Sequence, residues 1–430
     1  MRLKRNTVKS GAFLVAAATV ASGVVGSASP ASADPVSLSL TYVCDYPLIG
    51  TKEMTTTVTA DVPDRLRVGA GTGVISMNAA AQILKDTTEG LYTVGADTIS
   101  GSIVAEGAAY VPSHPRGVRF NTALVMPRQD LPEAGDFQVT ATGRLPTIVS
   151  TRRGWGRLNV GNLTMRLKVL NAAGQPTALG SELVIKCYQK PGANPHNTLA
   201  WIFWGGRKAH HKPDDRTMPT TPPPVYGTDT RTPARRTVDL DYRCDIPGIN
   251  RFLGPDAPMT VEARMDSPTE VTQRAYTQRS AVGMYVTFRQ HSVEGLWSLD
   301  EPVKSIEGSL VASTPATFPQ VPTNPLNARI KLPIPKQDQP DPPFTGYPEP
   351  WTLYGIEGSL PPLVFTQPGD GRIGFGNFTL SFIARNYSGA LHPQIHDDPT
   401  NPGHLVPVAK ATCVLEPHET ETTLSQFTIK

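Results

Sequence analysis

The chain opens two long segments with one phrase, Tyr-x-Cys-Asp-x-Pro-x-Ile: "YVCDYPLIG" at 42–50 and "YRCDIPGIN" at 242–250. The match continues downstream. "EGLYTVGADTISGSIVA" (89–105) answers to "EGLWSLDEPVKSIEGSLVA" (294–312). "GRLPTIVSTRRGWGRLNVGNLTMRL" (143–167) aligns without a gap with "GSLPPLVFTQPGDGRIGFGNFTLSF" (358–382), and "TLAWIF" at Thr198 answers to "TLSQFTI" at Thr423. The offset between matching positions grows along the chain. The second segment therefore reads as the first with lengthened surface loops, which a fold tolerates well. This is a tandem duplication, and two copies of this length each hold a core of their own rather than stacking as a solenoid.

The repeat also arranges the four cysteines. Sequence alone allows three pairings, but only Cys44 with Cys187 and Cys244 with Cys413 give both copies the same chemistry. Each bridge would tie a copy's first strand to its last across a loop of over a hundred residues, worth roughly 5 kcal/mol on the chain-entropy account. In the same phrase, Tyr42 and Tyr242 are expected on the strand face of the cysteine. Asp45 and Asp245 are expected to make Asx-type bonds that turn the chain, and Pro47 and Pro247 to stop the strand. Asp45 as an acid catalyst is the weaker reading.

Arg2, Lys4, Arg5 and Lys9 precede the apolar run "GAFLVAAATVASGVVG" and an Ala31-Ser32-Ala33 end, the pattern of a secretory signal over residues 1–33. Without those four basic residues the formal charge of +3 becomes −1. No net basic field is left to recruit nucleic acid. No later apolar run is long enough to span a membrane. Residues 34–204 and 237–430 are the two copies. The Pro-rich, basic stretch 205–236 between them reads as an extended, exposed linker.

Within each copy the pattern has period two: "VSLSLTYVC", "MTTTVTADV", "GVRFNTALV" and "GRLNVGNLTMRLKV" alternate between turn residues. Such strands predict an all-β fold, two tandem β-sandwiches of the immunoglobulin-like kind. Ala79, Ala80, Ile83 and Leu84 have helical spacing and predict a short helix in the first copy. The matching "VGMYVTF" of the second copy fits a strand equally well, and "EGL" reads as a turn.

The chain carries no nucleophile elbow, His-Glu-x-x-His, phosphate loop or Cys-x-x-Cys, so no catalytic, cofactor or metal residues are assigned. His392, His396, Asp397, Asp398 and His404 offer zinc-type ligands in an insertion of the second copy, but its prolines and irregular spacing favour a polar surface loop. His210 and His211 are weaker still. A glycosidase would need paired carboxylates, for which the recurring Glu89 and Glu294 are the candidates. The sequons at Asn162 and Asn377 interrupt an alternating strand and read as structural. Exposed aromatics can grip a sugar or a protein. The candidates are Trp201 and Trp204, with Trp201 and Phe203 more simply packed inside, and Phe344, Tyr347 and Trp351 in a Pro-rich insertion.

The ordered set "CDYPLIG", "GLYTVGADTISGSIVA", "ATGRLPTIV", "GRLNVGNLTMRL" and "VIKC" resembles an uncharacterised family of exported actinobacterial domains. The resemblance covers nearly all of the first copy. It is looser in the second, where Tyr46 becomes Ile246 and Gly50 becomes Asn250. It implies secretion and a β-rich module bracketed by two cysteines, and no activity. The expectation is a secreted, non-enzymatic protein, extracellular or associated with the cell wall, that binds an envelope glycan or protein. An extracellular hydrolase or metal-dependent enzyme acting on polysaccharide is the alternative.

Overall fold

The computed structural model describes residues 35–177, 179–205, 211–250, 254, 256–321, 325–340, 348–398 and 401–430. The leader-like segment, His210, Phe344 and Tyr347 lie outside these residues, as do the expectations placed on them.

The alternation of the first strand becomes β1 (Pro35–Tyr46), with Leu38, Leu40, Tyr42 and Cys44 all facing one interior. It is joined by β2 (Gly50–Asp61), β4 (Ile75–Ile83), β5 (Thr98–Val111), β6 (His114–Asp130), β7 (Phe137–Leu145), β8 (Gly154–Leu170) and β9 (Leu183–Gln189). These run in the order β8-β5-β6-β7-β4-β2-β1-β9, and β9 pairs back onto β8. The all-β expectation holds, but the strands close into an eight-stranded barrel and not an immunoglobulin-like sandwich. The reason is physical. Period two says only that one face is buried; strand length and stagger decide whether the facing layer is a second sheet or the far side of the same one. At 14, 17 and 17 residues, β5, β6 and β8 far exceed the usual five or so.

The long strands overrun the barrel and carry β10 (Thr198–Trp204), which in turn pairs with β3 (Arg65–Leu66). The first half of β8 pairs with β10 and its second half with β9. Gly161 and Asn162 mark the hand-over. Asn162 Oδ1 accepts from the Gln189 amide (3.0 Å), and the Tyr42 hydroxyl donates to the Gly161 carbonyl (3.1 Å). Burial in the barrel interior pushes the Tyr42 phenol well above its ordinary pKa.

The second half repeats this order. β12 (Ala234–Asp245), β13 (Ala257–Ser267), β16 (Ser280–Phe288), β17 (Val303–Thr317), β18 (Leu326–Asp338), β19 (Trp351–Leu360), β21 (Phe378–Asn386) and β24 (Ala409–Leu415) stand where β1, β2, β4, β5, β6, β7, β8 and β9 stand. β20 (Gly369–Gly374) and β25 (Thr423–Ile429) form the extension, with β14 (Glu270–Val271) on its edge. Between β18 and β19 no backbone ladder forms among the described residues. Instead the Gln337 amide donates to the Tyr354 carbonyl (2.6 Å), as the Gln129 side chain bridges to β7 at the same seam of the first barrel, its oxygen accepting from the Thr140 amide (3.2 Å) and its nitrogen donating to the Gln138 carbonyl (3.2 Å). Both glutamines follow a proline two residues earlier, Pro127 and Pro335, which has removed a ladder donor.

Helix α1 (Lys85–Thr93) begins after the predicted alanine-rich stretch, because Ile75, Met77, Ala79, Ala81 and Ile83 also repeat with period two and all five are buried as β4. "VGMYVTF" is strand β16. The "EGL" read as a turn is the body of α1 and of α2 (Gln290–Trp297). Helix α3 (Pro393–His396) and the hairpin β22 (Asp397–Asp398) and β23 (Asn401–Leu405) occupy the histidine insertion.

The described part of the linker is pinned to the first barrel. The Met218 amide donates to Asn197 Oδ1 (2.7 Å), the Thr198 hydroxyl to the Arg216 carbonyl (2.8 Å) and Asn162 Nδ2 to the Thr221 carbonyl (3.2 Å). Side-chain amides and hydroxyls replace the ladder that a proline-rich strand cannot make. Further on, β11 (Gly227–Thr228) pairs with β15 (Ala275–Tyr276).

The barrels also touch directly. Leu48 is buried in the core of the second barrel, and its carbonyl accepts from the Val364 amide (2.8 Å). Arg329 pairs with Asp97 (2.7 Å), donates to the Ala96 carbonyl (2.7 Å) and stacks 4.2 Å from the Tyr92 ring centroid. Both cysteine pairs stand opposite each other in register at disulfide distance, Cys44 with Cys187 (2.08 Å) and Cys244 with Cys413 (2.06 Å).

Candidate functional site

On the extension of the first barrel, β10, β8 and β5 lie side by side. Their register sets Trp201 opposite Arg157, and Arg157 opposite Tyr110. The three point away from the barrel interior, since their strand neighbours Ile202, Leu158 and Ala109 are the buried ones. The Arg157 guanidinium lies 4.1 Å from the Tyr110 ring centroid and 6.0 Å from that of Trp201. Its Nε donates to Asn159 Oδ1 (3.0 Å), while Asn159 Nδ2 donates to Asn197 Oδ1 (2.7 Å) and the Arg216 carbonyl (2.8 Å). The pinned linker thus holds the arginine from behind.

Trp155, two residues along β8, stands edge-on to Trp201 (6.5 Å) and tilted over Phe203 (5.1 Å). Phe203 is buried beneath it, with Arg153 above its ring at 5.9 Å. The Trp201 indole donates to Asp215 Oδ1 (2.5 Å). Beneath Tyr110 lies Gly117 at φ +83°, where a Cβ would stand 2.6 Å from the ring. Only glycine lets β6 pass under a flat-lying tyrosine here. The next outward residue of β6 is the exposed Arg119, opposite Ala108. Among the described residues no carboxylate forms an ion pair with Arg119, Arg153 or Arg157, and Asp215 is shared by His196 (3.5 Å) and Lys212 (3.7 Å). The result is a partly exposed aromatic and arginine platform.

The residues singled out by sequence scatter. Trp201 belongs to the platform, whereas Trp204 is wholly buried. Trp351 is core, stacked 5.4 Å from Phe288. Asp45 accepts the Tyr226 hydroxyl on both oxygens (2.9 and 3.0 Å) and so anchors the linker; Asp245 accepts from Asn250 Nδ2. Among the described residues neither carboxylate makes the Asx-type backbone bond expected of it. Asn377 Oδ1 accepts from the Leu415 amide (2.9 Å), the counterpart of Asn162.

The histidine insertion is neither a polar surface loop nor a metal cradle at its centre. His392 and His396 are fully buried. His396 Nε2 accepts from the Ala384 amide (2.9 Å), so Nδ1 carries the hydrogen and donates to the Val406 carbonyl (2.8 Å). Both nitrogens are spent on backbone. His404 is exposed, and Asp397 caps the Gly403 amide (2.7 Å). A different trio, Asp241, His418 and Glu419, has ligand atoms within 4.8 Å of one another, but Asp241 is already held by Arg289 and Thr260.

Glu89 lines a cleft of about 280 Å³ between the barrels with Glu133, Arg279, Arg329 and Lys331. Glu89 pairs with Lys85 (3.6 Å) and Glu133 with Lys331. Glu294 lies elsewhere, beside His291 (3.1 Å). Sequence reasoning missed Tyr110, Trp155 and Arg157. The available signal was Trp155 itself, which meets Asp370 inside the best-matched block.

No curated protein matches the chain. Residues 41–197, from β1 to the residue before β10, match the model of a family of unknown function (DUF6801).

Proposed function

We propose that this is an exported, non-enzymatic binding protein of the cell envelope, formed by a tandem duplication, and that its first barrel carries the binding face. The observation that supports the reading is the row Trp201–Arg157–Tyr110. Aromatic and cationic groups stand side by side on neighbouring strands of a rigid sheet, which favours recognition by stacking over chemistry on a reacting atom. The leader-like N-terminus and the paired cysteines fit an oxidising compartment. Among the described residues no helix is long and apolar enough to cross a membrane. The hydrolase alternative would place Glu89 and Glu133 at the inter-barrel cleft, where each is already tied to a lysine.

Retention of the exported, oxidised protein on purified cell-wall material tests the reading. Retention should fall about tenfold in Trp201→Ala and stay unchanged in Gln426→Ala, its counterpart in the second barrel. Equal retention of both variants, or none for the parent protein, overturns it.

A further inference from the structure

We infer that the platform takes an anionic carbohydrate chain, a sugar ring lying on Trp201 and acidic groups meeting Arg157, Arg153 and Arg119. This rests on the binding reading above and names its ligand. The aromatic part of the argument is geometric. Trp201 on β10 and the exposed Arg119 on β6 sit three strand spacings apart, about 14 Å, so the face matches a short run of sugar units and not a single ion. Every sugar ring offers an apolar face of C–H groups to an indole or phenol, and such stacking tolerates the hydroxyls at its rim.

The charge part comes from what the arginines lack. Arg157 uses Nε on Asn159, and no carboxylate reaches its terminal amino groups among the described residues. A guanidinium stacked on Tyr110 and tethered through Nε to Asn159 has its fork ordered in advance, the arrangement that suits bidentate carboxylate or phosphodiester recognition. A neutral glycan would need none of Arg119, Arg153 and Arg157. The counterpart row of the second barrel supplies the contrast. There Arg372 lies between Gln426 and Thr317, donates to Thr423 Oγ1 (2.5 Å) and faces Glu421 (3.7 Å). That arginine is neutralised from within; Arg157 is left for an outside anion. A nucleic acid would also supply rings and charge. It is disfavoured by a leaderless formal charge of −1, which gives no broad basic surface around the patch.

The experiment compares polygalacturonate, its fully methyl-esterified form and a single-stranded DNA oligomer, titrated by calorimetry into the oxidised full-length mature protein. Tightest binding is expected for polygalacturonate, with esterification weakening it at least about tenfold through loss of the charge-assisted bonds. Arg157→Gln and Trp201→Ala should each weaken polygalacturonate about tenfold, and Arg372→Gln should leave it unchanged. Arg157→Gln keeps a polar side chain on β8 and removes only the guanidinium, so it reads out binding even if Trp201→Ala disturbs β10. Equal affinity for the ester, or tighter binding of DNA, overturns the inference. So does loss of binding in Arg372→Gln as large as in Arg157→Gln. Wall retention that depends on Trp201 without any polygalacturonate binding sinks the inference and leaves the binding reading standing. Absence of both sinks the two together.

Discussion

The same three-strand row occurs in each barrel with different residues around its centre. In the first it reads Trp201, Arg157, Tyr110; in the second, Gln426, Arg372, Thr317. The central arginine is common to both. What differs is its company, two rings in one case and an internal carboxylate and hydroxyl in the other. An arginine between aromatic faces keeps its hydrogen-bonding fork for a partner, whereas one beside glutamate has already met its anion. The framework is therefore shared, and the two rows differ in what stands beside an arginine that both contain. Framework contacts should behave alike in the two halves, and contacts unique to one half should not.

The cysteine pairs are the strongest test of the shared part. Cys44–Cys187 closes 143 residues and Cys244–Cys413 closes 169. Loops of such similar size should stabilise their barrels almost equally, by roughly 5 kcal/mol each on the chain-entropy account. Denaturant titration of the two double-alanine variants should show comparable losses. A loss confined to one barrel would mean that the other closes without its bridge, and the halves would then differ in framework too.

Arg329→Ala comes next. It removes an ion pair with Asp97, two carbonyl contacts and a ring stack that exist only between the barrels. A loss of about 2–3 kcal/mol is expected, since Asp97 and the Ala96 carbonyl lose a partly buried partner. Calorimetry should then resolve two transitions where the parent shows one. A single, unshifted transition would mean that the barrels were never coupled.

The fourth residue after each phrase's cysteine sharpens the contrast, Leu48 against Gly248. Both adopt left-handed backbone, φ +66° and +85°. Glycine does so freely and leucine at a cost of roughly 1–2 kcal/mol. Leu48 offsets this by burying its side chain in the second barrel, a gain of about 1.5–3 kcal/mol. Leu48→Gly should therefore weaken docking by only about 1 kcal/mol. Gly248→Leu meets the Gln394 carbonyl 2.8 Å from its Cβ and should cost about 2 kcal/mol without docking anything. Equal effects in denaturant titration would argue that Leu48 only ends a strand.

Much of this framework was legible because its causes are local. Period two gave the strands, and the repeat gave the cysteine partners. The Tyr, Pro and Ile of the opening phrase are buried or strand-ending in both copies. Closure was not legible, because it depends on β9 returning to β8, a pairing of Leu163 with Cys187 that no window of sequence contains. The helix was displaced because "AAA" satisfies both periods, and β2 and β7 on either side of β4 decided between them. The platform escaped notice for a related reason. Tyr110, Arg157 and Trp201 are far apart in the chain, and each alone looks like an ordinary surface residue. Only the cross-strand register makes them one object.

The smallest expected effect separates the halves by pH. His396 is buried in the second barrel as a neutral ring that accepts from Ala384 and donates to Val406, and the first barrel's shorter loop has no equivalent. Burial, more than any neighbour, lowers its pKa below the ordinary histidine value. Protonation therefore favours the unfolded chain. The stabilisation from neutral His396 is complete above the unfolded pKa near 6.5 and declines as pH falls through that value towards the depressed folded one. Hydrogen exchange at the Ala384 amide should report this directly, because an imidazolium cannot accept that bond. Its protection, corrected for intrinsic exchange, should drop between about pH 8 and about pH 5, while amides of β2 in the first barrel keep theirs. His396→Gln should lower protection of Ala384 at all pH values and flatten the pH dependence. Parallel losses in both barrels would assign the acid sensitivity to charge shared by the whole molecule, and His396 would then be only a brace.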